Sequence, residues 1–152
     1  MKIAIVNGSM RRGSTWHAMD AVVRALKGRG EAEVAEFFLP GDMPHFCAGC
    51  FTCFLKGEGK CPHAAAVRPV AEAILGADLV ILTSPVYVYD VSGQMKALLD
   101  HLGYLWMPHR PAPAMFFKVG LTVVTAAGAG MRRTTGTLRK SLAFWGALRI
   151  YS

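Results

Sequence analysis

Apolar residues change period repeatedly along the chain, and each change marks the edge of an element. Lys2 to Val6 is a short apolar run that stops at Asn7-Gly8, as a buried strand does. Met19, Val22, Val23 and Leu26 then recur at the spacing of one helix face, and Gly28 and Gly30 close the run. Ala32 to Leu39 intersperses Glu33 and Glu36 with Val34 and Phe37, which predicts a second strand. Helical spacing returns in Val67, Val70, Ala71 and Ile74 and ends at Gly76. Leu79 to Thr83 is continuously apolar, the signature of a strand buried on both faces. Ser92 can cap a helix whose inner face is Met95, Leu98, Leu99 and Leu102, with Gly103 at its stop. Val119 to Thr125 predicts a fourth strand, Leu138, Leu142 and Trp145 a last helix, and Ala147 to Tyr151 the start of a fifth strand.

Strands that alternate with helices imply a parallel sheet, because parallel neighbours need crossover connections. The expected class is therefore α/β, a doubly wound sheet with helices on both faces. Ligands in such folds sit beyond the carboxyl ends of the strands, so the loops after strands one to four form the rim to inspect. No internal repeat or linker interrupts the chain, and residues 1–152 are expected to form one domain with a cysteine-rich loop at 40–62.

Composition narrows the picture. The 152 residues are 53% hydrophobic and 18% charged, enough apolar surface for one core and too much for a disordered chain. The longest uncharged runs, Met43 to Leu55 and Val119 to Met131, fall short of the roughly 20 apolar residues of a spanning helix, so no membrane partner is expected. Net charge is +7, but Lys and Arg are dispersed, and no nucleic-acid partner is expected either. Residues 101–152 carry seven basic side chains and no acid, as a chain would that stops before a balancing segment. Ile3 to Val6 is too short for a secretory signal, which predicts a cytoplasmic protein. Four cysteines in that compartment are better read as metal ligands, redox groups or buried thiols than as disulfides.

The loop Gly8-Ser9-Met10-Arg11-Arg12-Gly13-Ser14-Thr15 leads directly into a helix. Hydroxyls, glycine turns and helix-end amides converge there with two arginines, a natural cradle for a phosphate. Ser14 stands where a triphosphate loop requires lysine, and no G-x-G-x-x-G follows any strand, so a monophosphate pocket remains. An ordinary glycine turn with capping hydroxyls would leave the same residues. The loops from Ser84 to Gln94 and from Thr125 to Gly130 add aromatic rings, free amides and small side chains that suit a flat ring, although Tyr87 and Tyr89 also read as packing.

These segments, with Ala77-Asp78-Leu79 through Ser84-Pro85-Val86-Tyr87 and Ser92-Gly93-Gln94-Met95-Lys96 followed by Leu99-Asp100, resemble the flavodoxin-like NAD(P)H-dependent FMN reductase family, in its iron–sulfur flavoprotein branch. The resemblance implies a five-stranded sheet of order 2-1-3-4-5. It implies FMN, with the phosphate at Ser9, Arg11, Ser14 and Thr15. The ribityl chain and ring would lie against Pro85, Val86, Tyr87, Val88 and Tyr89, and the pyrimidine edge near Thr125, Ala126, Ala127 and Gly128. It further implies NAD(P)H as a transient donor and a small flavin, quinone or ferric acceptor. Hydride accepted by a flavin needs no protein acid or base, in keeping with the lack of a Ser-His-Asp set or a carboxylate pair, and no catalytic side chain is expected.

Cys47, Cys50, Cys53 and Cys61 follow C-x2-C-x2-C-x7-C, and Pro62 comes next. Three thiolates at intervals of three with a fourth across a loop suit a [4Fe–4S] cluster, as in clustered ferredoxin sites. Zinc aided by His45 or His63, and free thiols, are alternatives that the spacing leaves open. Relatives often carry an acidic pair soon after the fourth cysteine, where this chain has Pro62-His63-Ala64-Ala65-Ala66, and they continue past the fifth strand into another helix. Two further readings accompany the enzyme: an electron carrier between redox protein partners, and a zinc module that binds anions or RNA. The aromatic connection Tyr104 to Pro111 is expected at the surface, where Trp106 or His109 would border the flavin of a neighbouring subunit in a homo-oligomer, a dimer or tetramer; a loop folded onto its own domain would leave the same residues. His17 and His101 are expected to be packing or surface residues.

Overall fold

The computed structural model describes residues 1–152. Strands β1 (Lys2–Asn7), β2 (Glu33–Phe38), β3 (Leu79–Pro85), β4 (Val119–Thr125) and β5 (Arg149–Tyr151) form one sheet in the order β2-β1-β3-β4-β5, as expected. Every pairing is parallel. Helices α1 (Ser14–Lys27), α3 (Ala64–Gly76), α4 (Gly93–His101) and α5 (Met131–Trp145) make the crossovers. A single-turn helix α2 (Thr52–Leu55) inside the cysteine loop gives no periodicity to read, being shorter than any such window.

The strand period of two divides the core. Ile3, Ile5, Leu79 and Ile81 point to one face, where Met19 and Val23 of α1 cover them. Ala4, Val6, Val80 and Leu82 point to the other, against Val70 and Ile74 of α3, Leu98 of α4 and Leu138 and Leu142 of α5. Since β2 and β3 lie on opposite sides of β1, strand order reverses at β1 and the crevice beyond β1 and β3 is the expected ligand position.

The connection from α4 to β4 is buried at its start and exposed from Trp106 to Pro111, where the surface was expected. Tyr104 and Leu105 are buried in the core within a 3₁₀ turn, and Trp106 rests against Phe144 near the end of α5, ring centroids 5.4 Å apart. Trp106 thus packs in part on its own domain and stays 42% exposed. No helix is long and apolar enough to cross a membrane.

Candidate functional site

The chain leaves β1 through Gly8, whose amide donates to the Thr83 carbonyl at 2.8 Å. A Cβ at Gly8 would lie 2.8 Å from that oxygen and 2.9 Å from Ser92 Oγ, so a side chain there would push the loop off β3. Ser92 Oγ donates to the Gly8 carbonyl at 2.5 Å and accepts the Met95 amide at 3.2 Å. One buried hydroxyl therefore holds the loop and caps α4.

Beyond Gly8, Ser9 Oγ accepts the Arg11 amide at 3.1 Å and sets the turn. α1 opens after Gly13 with no side-chain cap and no acid in its first turn. Its first amides therefore have no acceptor within the helix and carry the positive end of its dipole. Ser9, Arg11, Ser14 and Thr15 line a cavity of about 410 Å³ at this point, within the range of small-molecule sites. The paired arginines part company: Arg11 lines the cavity, whereas Arg12 lies over the Trp16 and Phe38 rings, 5.2 and 5.4 Å from their centroids.

Pro85, Val86 and Tyr87 form a second wall of the same cavity, and Thr125, Ala126 and Ala127 a third. Three residues expected here, Val88, Tyr89 and Gly128, are not among its lining. The amides of Tyr87 and Asp90 each donate to the other's carbonyl, at 2.9 and 3.1 Å, and Val88 and Tyr89 have φ of 48° and 64°. That is the backbone of a tight primed turn. Its tip points outward, leaving Val88 94% exposed. Asp90 anchors the turn by accepting from the Val91 amide at 2.8 Å, Arg133 Nε at 2.9 Å and Thr137 Oγ1 at 3.0 Å. Partial burial would raise its pKa, but these donors outweigh that and hold the carboxyl below its ordinary value. Gly130, with φ of 96°, lets the turn after β4 approach: a Cβ there would lie 2.9 Å from Tyr89 Cα.

Asn7 and Thr83 also line the cavity, and sequence reasoning did not single them out. Both are buried. Asn7 Nδ2 donates to Glu36 Oε1 at 2.9 Å, Thr83 Oγ1 to Asn7 Oδ1 at 3.1 Å, and Trp16 Nε1 to Glu36 Oε1 at 2.9 Å. The signal in the sequence was a polar residue ending each of two apolar strands.

FMN fits these residues. Uncapped amides and Arg11 suit a phosphate at one end, and backbone beside Ala126 and Ala127 lies open to a flat ring at the other.

The four cysteines line a separate cavity of about 330 Å³, together with His63 and His101. All four are free. The Gly49 amide donates to Cys47 Sγ at 3.5 Å. A hydrogen bond with Thr52 lowers the Cys50 pKa, whereas burial raises that of Cys53. Nowhere do three His, Cys, Asp or Glu side chains close on one metal-ion position. The four thiols border one cavity without converging on a single point. His101 is buried with Nε2 3.1 Å from the His45 carbonyl, and burial lowers its pKa.

Comparison with known proteins follows the same lines. The family described as NADPH-dependent FMN reductase matches residues 1–152. An iron–sulfur flavoprotein of Archaeoglobus fulgidus is 30% identical over 152 residues, covering 99% of this chain and 66% of that one. An iron–sulfur flavoprotein of Methanocaldococcus jannaschii is 38% identical over 100 residues, covering 66% of this chain and 50% of that one. The matched segments thus span between half and about two-thirds of these relatives. An azoreductase from Bacillus anthracis superposes with a TM-score of 0.74 at 15% identity, covering 99% of this chain and 85% of that one, which shows a shared fold.

Proposed function

This chain belongs to the NADPH-dependent FMN reductase family, and we propose that it holds FMN in the rim cavity and uses it to pass electrons from NADH or NADPH to a small acceptor. One observation carries this reading: uncapped α1 amides beside Arg11 share a cavity with Tyr87, Ala126 and Ala127. The first group is what a phosphate needs, and the second what a planar ring needs.

FMN, when bound, supplies hydride acceptance and electron release. The chain's own residues bind and orient. Arg11, Ser9, Ser14 and Thr15 neutralise and hydrogen-bond the phosphate. Pro85, Val86 and Tyr87 keep water from one side of the ring, and the backbone at Thr125 to Ala127 meets its polar edge. Asn7, Thr83 and Glu36 saturate one another below the cavity, so the floor offers a fixed polar surface that does not rearrange on binding.

Cys47, Cys50, Cys53 and Cys61 would hold a [4Fe–4S] cluster in the second cavity. Support comes from four thiols lining one void, from the amide donated to Cys47 Sγ, and from relatives named iron–sulfur flavoproteins. The same four thiols favour a second reading, a carrier that relays electrons between protein partners.

Anaerobically purified protein should show a flavin absorption spectrum and contain iron and sulfide. It should consume NAD(P)H continuously with a quinone or ferric acceptor. Retained flavin without turnover selects the carrier, and colourless protein that takes up no added FMN overturns both readings.

A further inference from the structure

We propose that a third cavity, between α3 and the connection from α4 to β4, binds a neutral, largely apolar ring compound through a carbonyl oxygen. The cavity measures about 570 Å³ and shares no lining residue with the rim cavity. Val67, Ala71, Leu75 and Leu105 give it apolar walls.

Its distinguishing group is Tyr104. This residue is 5% exposed and lines the cavity, and its hydroxyl makes no hydrogen bond in the protein. The one fully enclosed side-chain polar atom without a partner is Thr134 Oγ1, so the Tyr104 oxygen is not sealed in the core and opens into the cavity. A ligand acceptor reaching this hydroxyl would take the place of water there. A phenol is protonated at neutral pH and can donate. The matching atom on the ligand is therefore an acceptor.

Charge selects a neutral molecule. Glu58 and Glu72 balance Arg68 and Arg110 around the cavity, and Arg110 is already paired with Glu58 at 3.3 Å. All four stand at the exposed rim of the cavity, so its inner, apolar wall offers no charge to a ligand. Cys53 and Cys61 line this cavity as well as the cysteine cavity, so an occupant would rest against the thiol wall. None of this depends on flavin at the rim.

Equilibrium dialysis of the oxidised, full-length protein against 2,3-dimethyl-1,4-naphthoquinone tests the site; its ring positions are blocked against addition of the exposed thiols. Saturable binding is expected, weakened about fivefold to tenfold by Tyr104→Phe, the loss of one hydrogen bond. Leu75→Trp, which fills the half-buried edge, should abolish it and provides the same reading if Tyr104→Phe does not fold. Arg11→Ala should leave it unchanged. No saturable binding, binding insensitive to the cavity substitutions, or binding lost with Arg11→Ala overturns the proposal. Failure of the flavin reading would appear separately, as absent FMN content.

Discussion

The hydroxyls of Thr15 and Thr125 lie 2.6 Å apart although 110 residues separate them in the chain. Their bond joins the first turn of α1 to the end of β4, so the walls of the rim cavity proposed to meet the phosphate and the ring are tied together.

Thr15→Ala and Thr125→Ala should each weaken FMN binding about fivefold, and the double variant should lose less than the sum, with a coupling of about 1 kcal/mol. Fluorescence titration of the apoprotein measures all four affinities. Strict additivity would mean that the two walls act independently.

Arg11 and Arg12 are adjacent but face different partners. Arg11→Ala should weaken FMN binding about tenfold to a hundredfold, the value of a charge-assisted contact. Arg12→Ala should leave FMN binding within about twofold and lower stability by about 0.5–1 kcal/mol, through loss of its cation–π contacts. Equal effects on FMN from the two substitutions would contradict the division of labour.

Val88 is a β-branched residue at positive φ on an exposed turn tip. Asn tolerates that conformation, so Val88→Asn should stabilise the fold by about 1 kcal/mol. Thermal denaturation should show a Tm higher by roughly 2–4 °C. FMN affinity should not change, because Val88 does not line the cavity.

Asp90 has a folded-state pKa below its ordinary 3.8. A carboxyl depressed on folding contributes stability that is full above the unfolded-state value and disappears as pH falls through the folded-state value. The stability difference between parent and Asp90→Asn should therefore be constant from pH 7 to about 5 and shrink below the model-peptide range near 4. Urea unfolding across that range checks it; a gap that widens on acidification would reverse the sign.

Cys50→Ser should bring iron content to background while FMN content stays that of the parent, since the thiol and rim cavities share no residue. Iron equal to the parent's would count against the cysteine set as a cluster site.

The alternation of elements was legible because apolar spacing switches cleanly between strand and helix periods, as at Lys2–Asn7 and Ser14–Lys27. The rim was legible because Gly8, Ser9 and Gly13 are residue types with few other uses between a strand and a helix. Asn7 and Thr83 were not, because their value lies in bonds to Glu36 and to each other that bring distant segments together. Val88 and Tyr89 stand outside the cavity lining for a different reason. Neither β-branched nor aromatic residues signal a primed turn, and the Asp90 contacts that hold this one come from α5. Trp106 to Pro111 were legible as surface because proline and aromatic residues mark a loop, whereas burial of Tyr104 depends on how that loop meets α3 and α5.

The Ser92 hydroxyl binds the exit of β1 and the first turn of α4 at once. Fraying of that helix would therefore loosen the loop proposed to grip a phosphate, several residues from any part of α4. The shape of the rim cavity thus depends on the integrity of a helix that contributes nothing to its lining.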